Sequence, residues 1–291
     1  MLKISQINLL MTIILDGKKL AKKILEECRK KTEKMTKKPG LAVIFVGKNP
    51  ASQIYVRNKK IACQEAGIDF FERTFDENIS QEKLITEIEK LNCDHKISGF
   101  IVQLPLPKHI FVPKIIRAIN PKKDVDGFHA YNLGKMFLSP DFEDLPPATP
   151  AGIIEILNHY KIEISGKNAV VVGHSNIVGK PISTMLLNRG ATVVTCHKLT
   201  KNLTSFTKLA DILVVAVGKI NLITAEMVKK GVVVIDVGMN RDKNGKICGD
   251  VDFEKISELS SAITPVPGGV GPMTVASLIK NTIRASEKKS K

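Results

Sequence analysis

The stretch "VVVGHSNIVGKP", residues 170–181, decides the fold. It opens as a β-branched apolar run, turns at a glycine, and enters a helix with a proline near its first turn. Backbone N–H groups exposed at such a helix start, added to the helix dipole, make a site for an anion. The spacing departs from G-x-G-x-x-G. Gly173 holds the first position, Ser175 stands where the second glycine falls, and Gly179 comes one place late. A strand–turn–helix with no ligand is the plain alternative.

The next apolar run carries more information. In NAD-binding folds an acid about 20 residues on, at the end of the second strand, bonds the ribose hydroxyls. Here "TVVTCHKLTK", residues 192–201, ends in His197 and Lys198 with no acid. A carboxylate would repel a 2′-phosphate and a cation would attract it, so these residues favour NADP over NAD.

Outward from this loop the chain alternates short β-branched runs with amphipathic segments. Strands are expected at 41–46, 71–75, 98–104, 169–173, 191–196, 211–218 and 231–238. Helices are expected from residue 16 and at 51–66, 81–91, 177–189 and 273–285. Strands spaced by helices imply parallel βαβ units. Near-continuous apolar strands imply sheets covered on both faces. The acidic, proline-rich stretch "SPDFEDLPPATP", residues 139–150, is read as a domain linker.

At 291 residues the chain is long enough for two domains, and 43% hydrophobic with 25% charged residues is the composition of a globular protein. The net charge of +15 comes from scattered lysines such as Lys18, Lys19, Lys22 and Lys23. No basic run is interleaved with aromatics as single-strand binders require, so no nucleic-acid partner is expected. Attraction to anionic small molecules is the sharper reading of the charge. The five cysteines are far apart, without C-x-x-C, which suggests neither disulfides nor zinc and fits a cytoplasmic protein. No stretch approaches the roughly 20 apolar residues of a membrane span. The opening "MLKISQINLLMTIIL" lacks a small-residue cleavage site and is read as a first strand, with Met11 as a possible start.

"IYVRNKK", residues 54–60, holds Tyr55 and Lys59 on one helical face. Short-chain dehydrogenases use a Tyr-x-x-x-Lys couple, but downstream of the glycine loop; here it lies upstream, and that reading fails. "IVQLPLP", residues 101–107, ends a strand in a glutamine and two prolines, where open α/β sheets bind ligands. "DVDGFH", residues 124–129, offers two acids and a glycine turn, and without further ligands at suitable spacing it is a poor metal site. "TPVPGGVGPMT", residues 264–274, is a rigid glycine-rich loop suited to close backbone approach.

With "PATPAGI", "DVGMNR" and "GDVDF", these motifs in this order resemble the bifunctional methylenetetrahydrofolate dehydrogenase/methenyltetrahydrofolate cyclohydrolase family, called FolD in bacteria. The resemblance implies an α/β fold of two domains with a cleft between them. A folate-binding catalytic domain would span residues 11–149, with the final helix, 273–291, packing back on it, and a Rossmann-type NADP domain would span 150–272. It implies a homodimer joined through the nucleotide domains, and one-carbon metabolism feeding purine, methionine and histidine biosynthesis. Lys59 would be the catalytic lysine, Tyr55 would stack on the folate ring, Gln103 would tune Lys59, and Asp126 would hold the pterin edge. Val102, Gln103 and Leu104, with Pro267, Gly268, Gly269, Val270 and Gly271, would line the substrate pocket. Gly173, His174, Ser175, Val178, Gly179 and Met239 would touch NADP. Some members carry an arginine for the 2′-phosphate where this chain has His174, and His197 and Lys198 would compensate. The rival readings are another two-domain NADP dehydrogenase of the shikimate type, which leaves "VQLPLP" and "PGGVGP" unexplained, and a non-catalytic basic phosphate- or RNA-binding protein.

Overall fold

The computed structural model describes residues 12–287. The possible start at Met11 and the last four residues of the tail lie outside the described residues.

The chain begins with β1 (Ile13–Ile14) and α1 (Gly17–Thr32), whose N-terminus is capped by Asp16 accepting from the Lys19 N–H. Three strands follow, β2 (Gly40–Val46), β3 (Asp69–Phe75) and β4 (Gly99–Val102), separated by α2 (Pro50–Glu65) and α3 (Gln81–Cys93). They form a parallel sheet in the order β3-β2-β4. Every residue of β2 is buried, as its unbroken apolar sequence requires of a central strand. Two short helices, α4 (Val112–Ala118) and α5 (Ala130–Leu138), lead to α6 (Ala148–His159). The proline-rich linker is therefore only partly linker: it holds a 3-10 turn at Pro140–Phe142 and the first residues of α6.

The second sheet is built from β5 (Asn168–Val172), α7 (Gly179–Leu187), β6 (Thr192–Cys196), α8 (Leu203–Thr207), β7 (Ile212–Val215) and β8 (Val233–Asp236). A small antiparallel pair, β9 (Asn240–Arg241) and β10 (Ile247–Cys248), precedes α9 (Phe253–Ser257), β11 (Ala262–Ile263) and α10 (Val270–Glu287). The parallel order is β1-β11-β8-β7-β5-β6, with β5 at the point where the winding reverses. Ligands of open α/β sheets sit at that switch point, outside the strand carboxyl ends.

Three expectations are corrected. β1 does not belong with the substrate sheet. It lies at the edge of the second sheet, with Ile13 opposite Ala262 and Ile14 opposite Ile263, because a two-residue strand gains hydrogen bonds only by joining an existing edge. The final helix starts at Val270, since proline is tolerated in a first helical turn and Pro272 does not delay it. α7 starts at Gly179 and ends at Leu187, shorter at both ends than the apolar pattern suggests.

One apolar cluster joins the two sheets through α1, α2, α6, α7 and α10, with Leu41, Ile101, Ile153, Val171, Met273 and Ile279 among its members. Each such side chain removed from water is worth about 1.5–3 kcal/mol. Separate clusters cover the outer face of each sheet. The cleft is therefore set between two sheets welded along one side.

Candidate active site

The substrate side begins with the way α2 starts. Asn49 accepts from Ser52 N at 3.1 Å and Pro50 occupies the first turn, which fixes the helix at its N-terminus. One face then carries Tyr55, Lys59 and Cys63 inward from the rim. Tyr55 is 36% exposed, Lys59 is 8% exposed and Cys63 is fully buried. Burial drives the Lys59 ammonium below its ordinary value, with Asp126 opposing the shift. The same burial pushes the Cys63 thiol up to about 12, so it stays neutral beneath the lysine.

β4 delivers the next group. It ends at Val102, short of the expected 104, and the Gln103 N–H makes one more bond to Ile44 O at 2.9 Å. The Gln103 side chain then turns into the cleft. Its Nε2 donates to Leu104 O at 2.7 Å, and its Oε1 accepts from Lys59 Nζ at 2.8 Å. The first bond orients the amide so that its oxygen meets the lysine. A neutral lysine can give that oxygen one hydrogen and keep its lone pair.

The two acids of "DVDGFH" separate. Asp124 is 1% exposed and accepts from Phe128 N at 3.3 Å, His129 N at 2.8 Å and Asn132 Nδ2 at 2.8 Å. It staples the turn into α5. Asp126 remains partly accessible at the cleft wall. Its surroundings raise its carboxyl to about 6, chiefly by burial, with Lys59 opposing and Asp124 adding to the rise.

The glycine-rich loop folds over the start of α1. Lys18 N donates to Gly268 O at 2.8 Å, and a Cβ on Gly17 would stand 1.9 Å from Gly269 O. Val270 and Gly271 are the first turn of α10, not loop. Met239 then closes the seam. Tyr55 OH donates to Met239 Sδ at 3.0 Å, and Met239 Cε lies 3.0 Å from where a Cβ on Gly271 would stand. Tyr55, Met239 and Gly271 thus meet, although they come from three distant parts of the chain.

On the nucleotide side, register aligns Val172 with Cys196 and Val215, and Val215 with Asp236. The loops after these residues share one crevice. Gly173 sits at φ +127°, and a Cβ there would come within 2.3 Å of Ala216 O, so this turn admits glycine alone. Ser175 Oγ accepts from Val178 N at 3.2 Å and Gly179 N at 3.4 Å, holding the donors that open α7. His174 and His197 converge, with ring centroids 5.0 Å apart. Both are exposed, as is Lys198 beside them. An open glycine turn flanked by two imidazoles and a lysine, with no acid at the end of β6, fits a nucleotide bearing a 2′-phosphate.

The catalytic-domain model of tetrahydrofolate dehydrogenase/cyclohydrolase matches residues 15–126, and the NAD(P)-binding-domain model of the same enzymes matches residues 147–290. The chain belongs to the tetrahydrofolate dehydrogenase/cyclohydrolase family. The bifunctional protein FolD of Acetivibrio thermocellus is 54% identical over 282 residues, covering 96% of this chain and 98% of that protein. The crystal structure of the bifunctional FolD enzyme from Campylobacter jejuni matches with a TM-score of 0.91 at 48% identity, over 96% of this chain and 99% of that one. The Trypanosoma brucei methylenetetrahydrofolate dehydrogenase-cyclohydrolase, solved with NADP and an inhibitor, matches with a TM-score of 0.92 at 34% identity, over 96% and 99% of the two chains. A shikimate dehydrogenase from Peptoclostridium difficile matches at 14% identity with a TM-score of 0.51, a likeness of fold alone.

In this tetrahydrofolate dehydrogenase/cyclohydrolase, reading the residues one by one missed two buried acids behind the crevice. Asp250 accepts from Val217 N, Gly218 N, Lys219 N and Asn240 Nδ2, at 2.7–3.0 Å. Asp236 accepts from Gly238 N, Asp250 N and Val251 N at 2.8–3.1 Å. Burial raises the Asp236 carboxyl to about 6 despite those bonds. Together they tie the loops after β7 and β8 to the segment before α9 and so hold Met239 at the seam. The signal was present in "DVGMNR" and "GDVDF", where Asp236 stands two residues before Gly238 and Asp250 directly follows Gly249.

Proposed function

We propose that the cleft lined by Tyr55, Lys59, Gln103 and Asp126 is one site serving both reactions of this enzyme. The chain oxidises 5,10-methylenetetrahydrofolate to 5,10-methenyltetrahydrofolate with NADP+ and hydrolyses the product to 10-formyltetrahydrofolate. The observation that carries the assignment of residues is the buried Lys59 held by the Gln103 amide oxygen at 2.8 Å.

In the first reaction the residues align and exclude water. Tyr55 covers the folate ring, and Asp126 accepts hydrogen bonds from the pterin edge. Val102, Leu104, the turn of Pro267, Gly268 and Gly269, and the first α10 residues Val270 and Gly271 shape the pocket. Gly173, Ser175, Val178 and Gly179 would hold NADP+, which supplies the hydride acceptor when bound, and His174, His197 and Lys198 would face its 2′-phosphate. In the second reaction Lys59 takes a proton from the water that attacks the methenyl carbon; the bond from that carbon to N5 then breaks as the carbonyl forms, and the remaining hydroxyl proton ends on N5. Burial lowers the lysine's proton affinity and so favours the base form, and the cationic substrate favours that form further. Gln103 orients Nζ without adding the negative charge that would hold its proton.

The same reading divides the chain into a folate-binding half on the three-stranded sheet and a nucleotide half on the six-stranded sheet, which β1 also enters. α10 packs against α1, α2 and α6 and so returns to the folate half. Family resemblance further supports a cytoplasmic homodimer joined through the nucleotide halves, supplying one-carbon units for purine, methionine and histidine synthesis. No helix among the described residues is long and apolar enough to cross a membrane.

The test follows NADPH formation from 5,10-methylenetetrahydrofolate with NADP+ and separately with NAD+, while tracking the methenyl species. NADPH without methenyl accumulation is expected. Accumulating methenyl product would remove the base role of Lys59.

A further inference from the structure

α10 reaches the folate site twice. Its first turn carries Val270 and Gly271, and about three turns later comes Asn281. Asn281 is 1% exposed, and its Nδ2 donates to Val125 O at 2.9 Å and to Pro146 O at 2.8 Å. Val125 immediately precedes Asp126. Pro146 lies against the turn at Gly127, where a Cβ would come within 2.5 Å of the Pro146 carbonyl carbon. The Asp126 backbone carbonyl accepts from Ala148 N at 3.3 Å. The segments 124–127 and 145–148 therefore lie side by side, and one amide from the far end of the chain clasps both. Removing it leaves two buried carbonyls without that donor, which favours separation of the segments.

We propose that Asn281 is a positioning residue for the folate site, holding the carbonyls of Val125 and Pro146 so that Asp126 stands at a fixed place relative to Lys59. This rests on the reading of Asp126 as the acid that holds the pterin edge. Asn281 bonds backbone on the core side of the loop, so its influence on the reaction passes through Asp126. If the clasp is lost the loop loosens and the carboxyl becomes more exposed to water. The carboxyl then falls from about 6 towards its ordinary range. Folate affinity, which needs the ionised acid, weakens in the parent as pH drops below about 6. In the loosened enzyme that weakening begins at lower pH, from a poorer starting affinity.

The experiment compares Asn281→Ala, Asp126→Asn and the double variant with the parent from pH 5 to 8. KM and kcat for 5,10-methylenetetrahydrofolate are measured together with NADP+ affinity. Asn281→Ala is expected to raise the folate KM about tenfold with kcat and NADP+ affinity little changed, and to move the acid-side rise in KM to lower pH. In the Asp126→Asn background the same substitution is expected to change KM by less than about twofold. A full tenfold effect in that background, or an unchanged KM in Asn281→Ala alone, overturns the proposal. An unchanged KM in Asp126→Asn alone overturns the reading of Asp126 itself, and the positioning role with it. Asn281→Ser, which keeps a single shorter donor, provides the same cycle if the alanine variant does not fold, with a smaller KM rise and the same loss of effect beside Asp126→Asn.

Discussion

Lys59 and the pair His174 and His197 are cationic or potentially cationic groups on opposite sides of one cleft, and they are built in opposite ways. Lys59 is 8% exposed, bonded to an amide, and in the field of a half-buried acid. The two imidazoles face solvent with ring centroids 5.0 Å apart. A charge 4 Å away is worth about 4 kcal/mol at an effective dielectric of 20 and about 1 kcal/mol in water. The substrate side therefore makes proton affinity sensitive to every neighbour. On the proposed reading, the nucleotide side would attract phosphate through several weak contributions that salt screens. Substitutions on the first side are expected to alter chemistry, and those on the second to alter affinity.

The largest break in that contrast comes from Lys59→Met. Cyclohydrolase turnover is expected to fall by about 10³-fold while NADP+ binding stays within about twofold, read by methenyltetrahydrofolate hydrolysis and a fluorescence titration. Parental hydrolysis would remove Lys59 from the mechanism. Gln103→Glu keeps the shape but places a carboxylate against Nζ, which favours the ammonium and raises the lysine's proton affinity. Hydrolysis at pH 7 is expected to fall by about 10- to 100-fold, and its rise with pH to move to higher pH. An unshifted pH–rate profile would end the tuning role.

On the nucleotide side the effects are smaller. His174→Arg introduces a permanent charge and a fork of donors beside His197, and is expected to tighten NADP+ binding by about 5- to 10-fold with NAD+ binding unchanged. Equal gains for both nucleotides would show that position 174 does not face the 2′-phosphate. The smallest effect tests the cost of the buried acid. The Asp126 carboxyl is raised to about 6 from an ordinary value near 3.8, so the folded state binds a proton more tightly than the unfolded chain. The penalty for ionised Asp126 is absent below about pH 4, grows up to about pH 6, and is full above it. Asp126→Asn is expected to stabilise the protein by on the order of 1–2 kcal/mol at pH 7 and by nothing measurable at pH 4, read by urea unfolding at both. A pH-independent difference would mean the carboxyl is not shifted by the fold.

Much of the fold is legible in the chain because local patterns repeat the tertiary outcome. β2, β5, β7 and β8 are nearly continuous apolar runs, and all are interior strands. β1 misleads because two isoleucines at the head of the chain pair with a strand near the other end, which no local pattern records. In the site, Tyr55 and Lys59 are legible as a helical face, and Gln103 as the end of a strand. Met239 is legible only as a member of a motif. Its contacts with Tyr55 and Gly271 join residues separated by more than a hundred positions on one side.

By itself the sequence determined the parallel α/β architecture, the glycine turn that only Gly173 can make, the lack of an acid at the end of β6, and the family. These depend on backbone conformation, side-chain period and residue type, which are local properties. Tertiary structure decided which of two neighbouring acids faces the cleft and which staples a turn. It also decided that Lys59 meets an amide oxygen, that His174 meets His197, and that Asn281 clasps the loop of Asp126. The reason is physical: burial, hydrogen-bond direction and proton affinity are set by the neighbours a residue acquires on folding, and those neighbours come from distant parts of the chain.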